Sequence, residues 1–415
     1  MYWSKLRNRE IKRRVFEALG KNLNYQHQPI LGLPATYLDQ EQFYFNAPFL
    51  KDAAFLSVLI HNPNHIGCHT YSQGEEYFRG TQEIEIELLR ICAEQIFKAK
   101  PNDFDGYVAP GGTEANIQAV WMYRNYFMKN KGIKSSEIGL VFSEDVHYSA
   151  YKACDLLQVK AIEIPVIEHN RKWNPDNLKE KLKEAKENGI KHFIVFLNMG
   201  STMFGSVDMP EDILPIVEEY AEEYWAHVDG AFGGFIYPFT NTENPLNFEH
   251  PKIASVTIDG HKMLQAPYGT GIFLCKKGWI QNTQTEEASY VQGTDFTLCG
   301  SRSGANAISI WMILKTYGST GWSYNMERLL DRTDSICDAL EEMGINYFRD
   351  PYMNIVTMRA SDIPRRVAEK YHLVADDFEN PKWWKIVTMM HVEKPIIDQF
   401  LIDLKRKSVS EDLLD

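Results

Sequence analysis

Ser255-Val256-Thr257-Ile258-Asp259-Gly260-His261-Lys262 decides the reading of this chain. The β-branched run Val256, Thr257 and Ile258 predicts a buried strand. Gly260 then gives the backbone room to turn and leaves His261 and Lys262 at the rim of a sheet. Upstream, His227-Val228-Asp229-Gly230-Ala231 reads as a second strand end, with a carboxylate at the same kind of position.

Outward from these two strands the pattern repeats. A helix is expected over about 81–98, where Ile84, Leu88, Ile91 and Ile96 recur near helical spacing. Strands follow at Asp105–Ala109, Ile138–Phe142, Ala161–Val166, His192–Leu197, Trp225–Val228, Ala254–Ile258 and Gly271–Cys275. Helices fall between them, from near Thr113, after His147, over 175–188 and over 210–224. Apolar strands alternating with helices imply an α/β fold with a largely parallel sheet covered on both faces. In such sheets ligands bind at the strand C-termini, and Gly112, His147, Ser201, Asp229 and Lys262 all fall just after predicted strands. Helices over 303–317 and 322–343 lead to strands at Asn346–Phe348, Asn354–Arg359 and Trp384–Met390, with helices near 364–371 and 394–406. We therefore divide the chain into an N-terminal arm (1–70), a large domain (71–318) and a small C-terminal α/β domain (319–415), its tail Lys405–Asp415 frayed.

The bulk numbers bound the function. A chain of 415 residues with 44% hydrophobic and 24% charged residues is a soluble globular protein of more than one domain. A net charge of −12 argues against nucleic-acid binding. No apolar run is long enough for a membrane span, and the opening Met1-Tyr2-Trp3-Ser4-Lys5 begins no secretory leader. Six scattered cysteines without a C-x-x-C pair read as reduced thiols, so a cytoplasmic location is expected.

A rim lysine could be an ordinary solvated charge, and Asp229 an ordinary turn cap. Together they are the two groups that pyridoxal phosphate requires: an amine for its aldehyde and a carboxylate that keeps its ring nitrogen protonated. Gly111-Gly112-Thr113-Glu114-Ala115-Asn116 opens a helix after a strand, offering free N–H groups to a phosphate, with the Thr113 hydroxyl beside them. It is not a nucleotide P-loop, because no Gly-Lys-Ser/Thr follows. His147 is placed to stack on a flat ring, orient a carboxylate or carry a proton. His61, His65 and His69 share a four-residue spacing, but Pro63 and Gly67 break any helix aligning them, so no metal site is assigned. One of these, or Cys68, is a candidate to line a substrate pocket.

These motifs, with Thr297-Leu298-Cys299-Gly300-Ser301-Arg302-Ser303-Gly304, resemble the group II pyridoxal-phosphate amino-acid decarboxylases over roughly residues 75 to 405. The compact tyrosine/aspartate, histidine and serine decarboxylases look most similar. The resemblance implies a fold type I homodimer, with a mostly parallel seven-stranded sheet in the large domain and active sites at the interface. It implies that Lys262 forms the Schiff base, Asp229 meets the ring nitrogen, and His147 and Ala231 flank the ring. Gly112, Thr113 and His261 would hold the phosphate, with Ser201 or Thr202 near the ring hydroxyl. Ser301, Arg302 and Ser303 would approach the cofactor from the partner subunit, and Tyr290 would be a mobile-loop proton donor. Gly230 stands where many relatives carry Ala, which should loosen the ring contact. Asn64-His65-Ile66-Gly67-Cys68-His69 departs from the family's Asn-Gly-Asp type of substrate loop.

The implied reaction turns an L-amino acid into its amine and CO₂. Aspartate, glutamate, tyrosine, histidine and diaminobutyrate all suit the family, and the sequence does not choose among them. A carbon–carbon lyase resembling sphingosine-1-phosphate lyase, an aminotransferase, and a silent cofactor-fold binding protein stay open beside it.

Overall fold

Alternation of strand and helix produces the expected sheet. The computed structural model describes residues 1–22, 48–68, 70, 74–288 and 290–411. The Pro29–Pro34 stretch, His69 and the last four residues lie outside them. Seven strands, β1 (Phe104–Ala109), β2 (Ile138–Ser143), β3 (Lys160–Ile164), β4 (His192–Asn198), β5 (Glu223–Gly230), β6 (Ile253–Asp259) and β7 (Gly271–Lys276), form one sheet. Their order is β1-β7-β6-β5-β4-β2-β3. All pairings are parallel except those of β7, which runs against both β1 and β6.

Both faces of the sheet are covered, which is why its strands read as unbroken apolar runs. Leu140 and Phe142 join one apolar cluster, with Phe196 and Phe273, and Val141 joins the other, with Val195, Val228 and Val256. Each fully buried side chain of this kind stabilises the fold by about 1.5–3 kcal/mol. Edge strand β3 alternates exposed and buried residues instead. Its single covered face explains the weaker pattern.

A second, antiparallel sheet comprises Tyr347–Phe348, Ile355–Arg359, Val374–Ala375 and Trp383–Val387. It packs around its own cluster, including Val356, Trp384 and Phe400. Loop 199–207 of the large sheet meets it directly. Thr357 Oγ1 donates to the Met203 carbonyl at 2.9 Å and Lys385 Nζ to the Thr202 carbonyl at 2.8 Å.

Three details differ from expectation. The arm contains helices Asn8–Lys21 and Ala54–His61, the first burying Ile11, Val15, Ala18 and Leu19 against the helices Arg79–Arg90 and Gly304–Glu342. The helix expected over 210–224 ends at Tyr220, because Glu223 and Tyr224 already pair with β4. The helices expected at 303–317 and 322–343 are one element, Gly304–Glu342, kinked at Gly318 (φ 66°). A Cβ at Gly318 would lie 2.9 Å from the Lys5 nitrogen. The chain's first residues occupy this kink: Trp3 Nε1 donates to the Leu314 carbonyl and the Leu6 N–H to that of Lys315, each at 2.9 Å.

Candidate active site

The C-terminal ends of the parallel strands bring nine of the expected residues together. An open cleft of 460 Å³ is lined by Gly112, Thr113, His147, Ala231, His261 and Lys262, among others. A 210 Å³ cavity shares His147, Ala231 and Lys262 with it and adds Ser201, Thr202 and Asp229. Lys262 stands where the two meet.

Lys262 follows β6 in a turn closed by Gly260, whose N–H donates to the Thr270 carbonyl at 2.6 Å. Its Nζ lies 3.1 Å from Asp259 Oδ2, and His261 Nε2 lies 3.6 Å from the same oxygen. Burial pushes the Asp259 carboxyl upward, opposed by the neighbouring Lys262 and His261 charges. Among the described residues, the buried atoms Asp259 Oδ1 and His261 Nδ1 meet no hydrogen-bond partner. Such atoms are costly inside a protein and mark a place built for a polar ligand.

Asp229 sits at the end of β5, 7% exposed. Its Oδ1 accepts the Ala231 N–H at 3.0 Å and its Oδ2 accepts from Asn116 Nδ2 at 2.9 Å. The chain beyond it must be glycine: a Cβ on Gly233 would fall 2.0 Å from the Met199 carbonyl oxygen. His147 precedes the Ser149–Leu157 helix with its Nδ1 2.9 Å from Ser149 Oγ. Burial lowers its pKa, and Asp229 pulls the other way. The Ser201 hydroxyl lies 2.7 Å from that of Ser206.

Sequence reasoning missed several neighbours. Lys385 reaches the smaller cavity from the antiparallel sheet, with its pKa lowered by burial and by Lys262. It lies about 120 residues from Lys262 in sequence, so no local motif announces it. Asn116 and His227 were visible within quoted motifs but carried no spacing signal of their own. Glu114 lines the cleft with its carboxylate on the Tyr107 hydroxyl, at 3.0 and 3.1 Å, and burial pushes it up to about 7.

Four expected residues stay outside these cavities. Tyr290 is 89% exposed. Ser301–Ser303 pairs antiparallel with Asn64–Ile66, leaving Ser301 and Ser303 exposed. The Arg302 guanidinium is buried within its own chain. Nη1 meets Glu85 Oε1 at 2.5 Å and Nη2 donates to the Gly67 carbonyl at 2.6 Å. A motif position does not say which way a side chain points. Of the described histidines in that spacing, His65 bonds Glu85 and Thr81 while His61 bonds the Ser57 carbonyl. Cys68 is buried with its thiol 3.3 Å from the Gly106 carbonyl. A Cβ at Gly230 would face the Thr257 carbonyl at 3.0 Å, across the strand pairing.

Comparison with known proteins gives this arrangement a family. The pyridoxal-dependent decarboxylase conserved domain matches residues 81–351. The chain belongs to the pyridoxal-dependent decarboxylases. It is 48% identical to a tryptophan decarboxylase of Clostridium sporogenes, over 98% of this chain and 97% of that one. A histidine decarboxylase of Vibrio anguillarum is 29% identical over 88% and 92%. Among solved structures, L-methionine decarboxylase from Streptomyces sp. 590 superposes with a TM-score of 0.69, at 20% identity over 96% and 93% of the two chains. This pyridoxal-dependent decarboxylase is thus a fold type I carboxy-lyase acting on an amino acid, with pyridoxal phosphate as its cofactor. No helix among the described residues is long and apolar enough to cross a membrane.

Proposed function

We propose that the chain decarboxylates an aromatic L-amino acid, tryptophan foremost, using Lys262 and Asp229. The observation that carries the site assignment is their meeting in one cavity beside His147. The similarity to a tryptophan decarboxylase along almost the whole chain carries the substrate. Ile117, Tyr148 and Leu298 give the larger cleft an apolar wall suited to such a side chain. Tryptophan was not among the substrates the motifs suggested.

The residues fit the cofactor. The N–H groups opening the Gly112–Lys131 helix, the Thr113 hydroxyl and the unpartnered His261 Nδ1 suit its phosphate. Lys262 suits its aldehyde, Asp229 its ring nitrogen, and His147 and Ala231 the faces of a flat ring. Ser201 and Thr202 lie on the same cavity and suit the ring hydroxyl. When bound, pyridoxal phosphate supplies an electron sink for the pair left when the Cα–carboxylate bond breaks. The chain's own part is to orient and to handle charge. Lys385 adds a second cation beside Lys262 that attracts a carboxylate, and His147 is within reach of the cavity to hold or deliver a proton.

The enzyme works as a homodimer in the cytoplasm. The exposure of Ser301, Ser303 and Tyr290 supports a site completed by a second copy, and the six scattered cysteines, with no C-x-x-C pair, support a reducing compartment. Sedimentation of the purified protein tests the dimer, and cell fractionation the location.

The reaction is tested by the visible absorbance of purified protein and by CO₂ release from the twenty amino acids plus diaminobutyrate. A coloured protein that releases CO₂ fastest from tryptophan, with the other aromatics next, is expected. Release from histidine or an acidic amino acid alone would overturn the substrate reading.

A further inference from the structure

Asn116 is 1% exposed on the inner side of the Gly112–Lys131 helix, and its amide touches three functional elements. Nδ2 lies 2.9 Å from Asp229 Oδ2 and 2.9 Å from Ser149 Oγ, while Oδ1 lies 3.0 Å from His227 Nε2. A carboxylate oxygen accepts, so the nitrogen end must face Asp229 and the amide cannot be flipped. Both amide hydrogens are then used, on Asp229 and Ser149.

Two tautomers follow by elimination. Asn116 Oδ1 can only accept, so the proton of His227 sits on Nε2, and Nδ1 accepts from Ser255 Oγ at 2.8 Å. His227 is neutral there, because full burial lowers its pKa to about 4. On the other side, Ser149 Oγ accepts from Asn116 and has one proton left to give. His147 Nδ1 lies 2.9 Å away and also faces the Ser149 backbone N–H at 3.3 Å. A proton on Nδ1 would oppose that N–H, so Nδ1 accepts and the ring proton is on Nε2.

We infer that Asn116 is a positioning residue for both ends of the cofactor site: it anchors the Asp229 carboxylate and, through Ser149, fixes His147 as the Nε2–H tautomer. His147 then offers the site a donor rather than a base. This rests on the proposed roles of Asp229 and His147, but the tautomer itself does not depend on them.

The test begins with ¹⁵N-histidine NMR of the cofactor-free protein, the His147 resonances assigned by their loss in His147→Gln. Wild-type protein should show a protonated Nε2 and an unprotonated Nδ1. Ser149→Ala, which leaves the Asn116–Asp229 contact in place, should produce mixed tautomers at His147 while pyridoxal phosphate binds as in wild type. Asn116→Ala should disturb the tautomer as well, and weaken pyridoxal phosphate about 10–100-fold in equilibrium dialysis, by analogy with the loss when a hydrogen bond that orients a metal ligand is removed. An Nδ1-protonated His147 in wild type overturns the inference. So do variants that melt at lower temperature while tautomer and cofactor affinity stay unchanged, which would make Asn116 a structural filler. A wild-type protein with the expected tautomer that released no CO₂ would instead count against the proposed function.

Discussion

Replacing Arg302 with Met tests whether this side chain supports the fold or serves the cofactor. Arg302 is 2% and Glu85 0% exposed at the side chain. Glu85 Oε1 accepts from Arg302 Nη1 and from the Val108 N–H at 2.8 Å, and Oε2 lies 2.8 Å from His65 Nδ1. Met fills similar volume but removes a buried cation, and it takes a donor from the Gly67 and Val108 carbonyls. Breaking a buried pair from one side costs about 3–5 kcal/mol, because the remaining charge is stranded. The Val108 N–H and His65 soften this, so the lower end is expected. At roughly 2–4 °C per kcal/mol, the melting temperature should fall on the order of 10 °C. Adding Glu85→Gln removes the stranded charge and should restore at least half of the loss, a coupling that a double-mutant cycle measures. Thermal unfolding and pyridoxal phosphate affinity would be followed together in all four proteins. An Arg302→Met variant with unchanged melting and weakened cofactor binding would refute the structural assignment.

Lys262→Ala should abolish CO₂ release, more than about 10³-fold, while circular dichroism and melting stay near wild type; retained turnover would remove Lys262 from the chemistry. Gly233→Ala should fail to accumulate as soluble protein or melt far lower, since its Cβ would collide with the Met199 carbonyl. Burial raises Glu114 from 4.5 and Asp208 from 3.8, each to about 7, so the folded state binds their protons more tightly than the unfolded chain. Their contribution is fully present below those lower values and lost as pH rises through about 7. Glu114→Gln and Asp208→Asn should therefore each flatten the fall in melting temperature between about pH 4 and 7.5, and unchanged profiles would contradict this.

The large sheet was readable because strands covered on both faces need no alternation: Leu140, Val141 and Phe142 are apolar in succession whichever way each points. The cleft residues were readable for a related reason, since a parallel sheet presents its strand ends on one side. The arm's first helix escaped notice although Ile11, Val15, Ala18 and Leu19 have helical spacing, because charged residues fill the turns between them. The sequence suggested two helices, over 303–317 and 322–343, whereas the chain continues as one kinked element through Gly318, held there by the N-terminal residues. Lys385 could not be found, because its role depends on how the smaller sheet docks, a long-range fact that no window of sequence contains. The place of Arg302 in a motif was visible, but its burial against Glu85 was decided by a residue 217 positions away.

The kinked helix also sets a limit on handling the protein. A kink frees carbonyls that a straight helix would use, and at Leu314 and Lys315 the chain's own beginning satisfies them. Met1 and Tyr2 are 53% and 74% exposed, so a purification tag joined there has open solvent to extend into. Trp3 is 5% exposed, and trimming past it would open a hole in the hydrophobic core while unsealing the bent helix. Residues 3–6 act as a wedge in the bent helix that should travel with the enzyme into every engineered version.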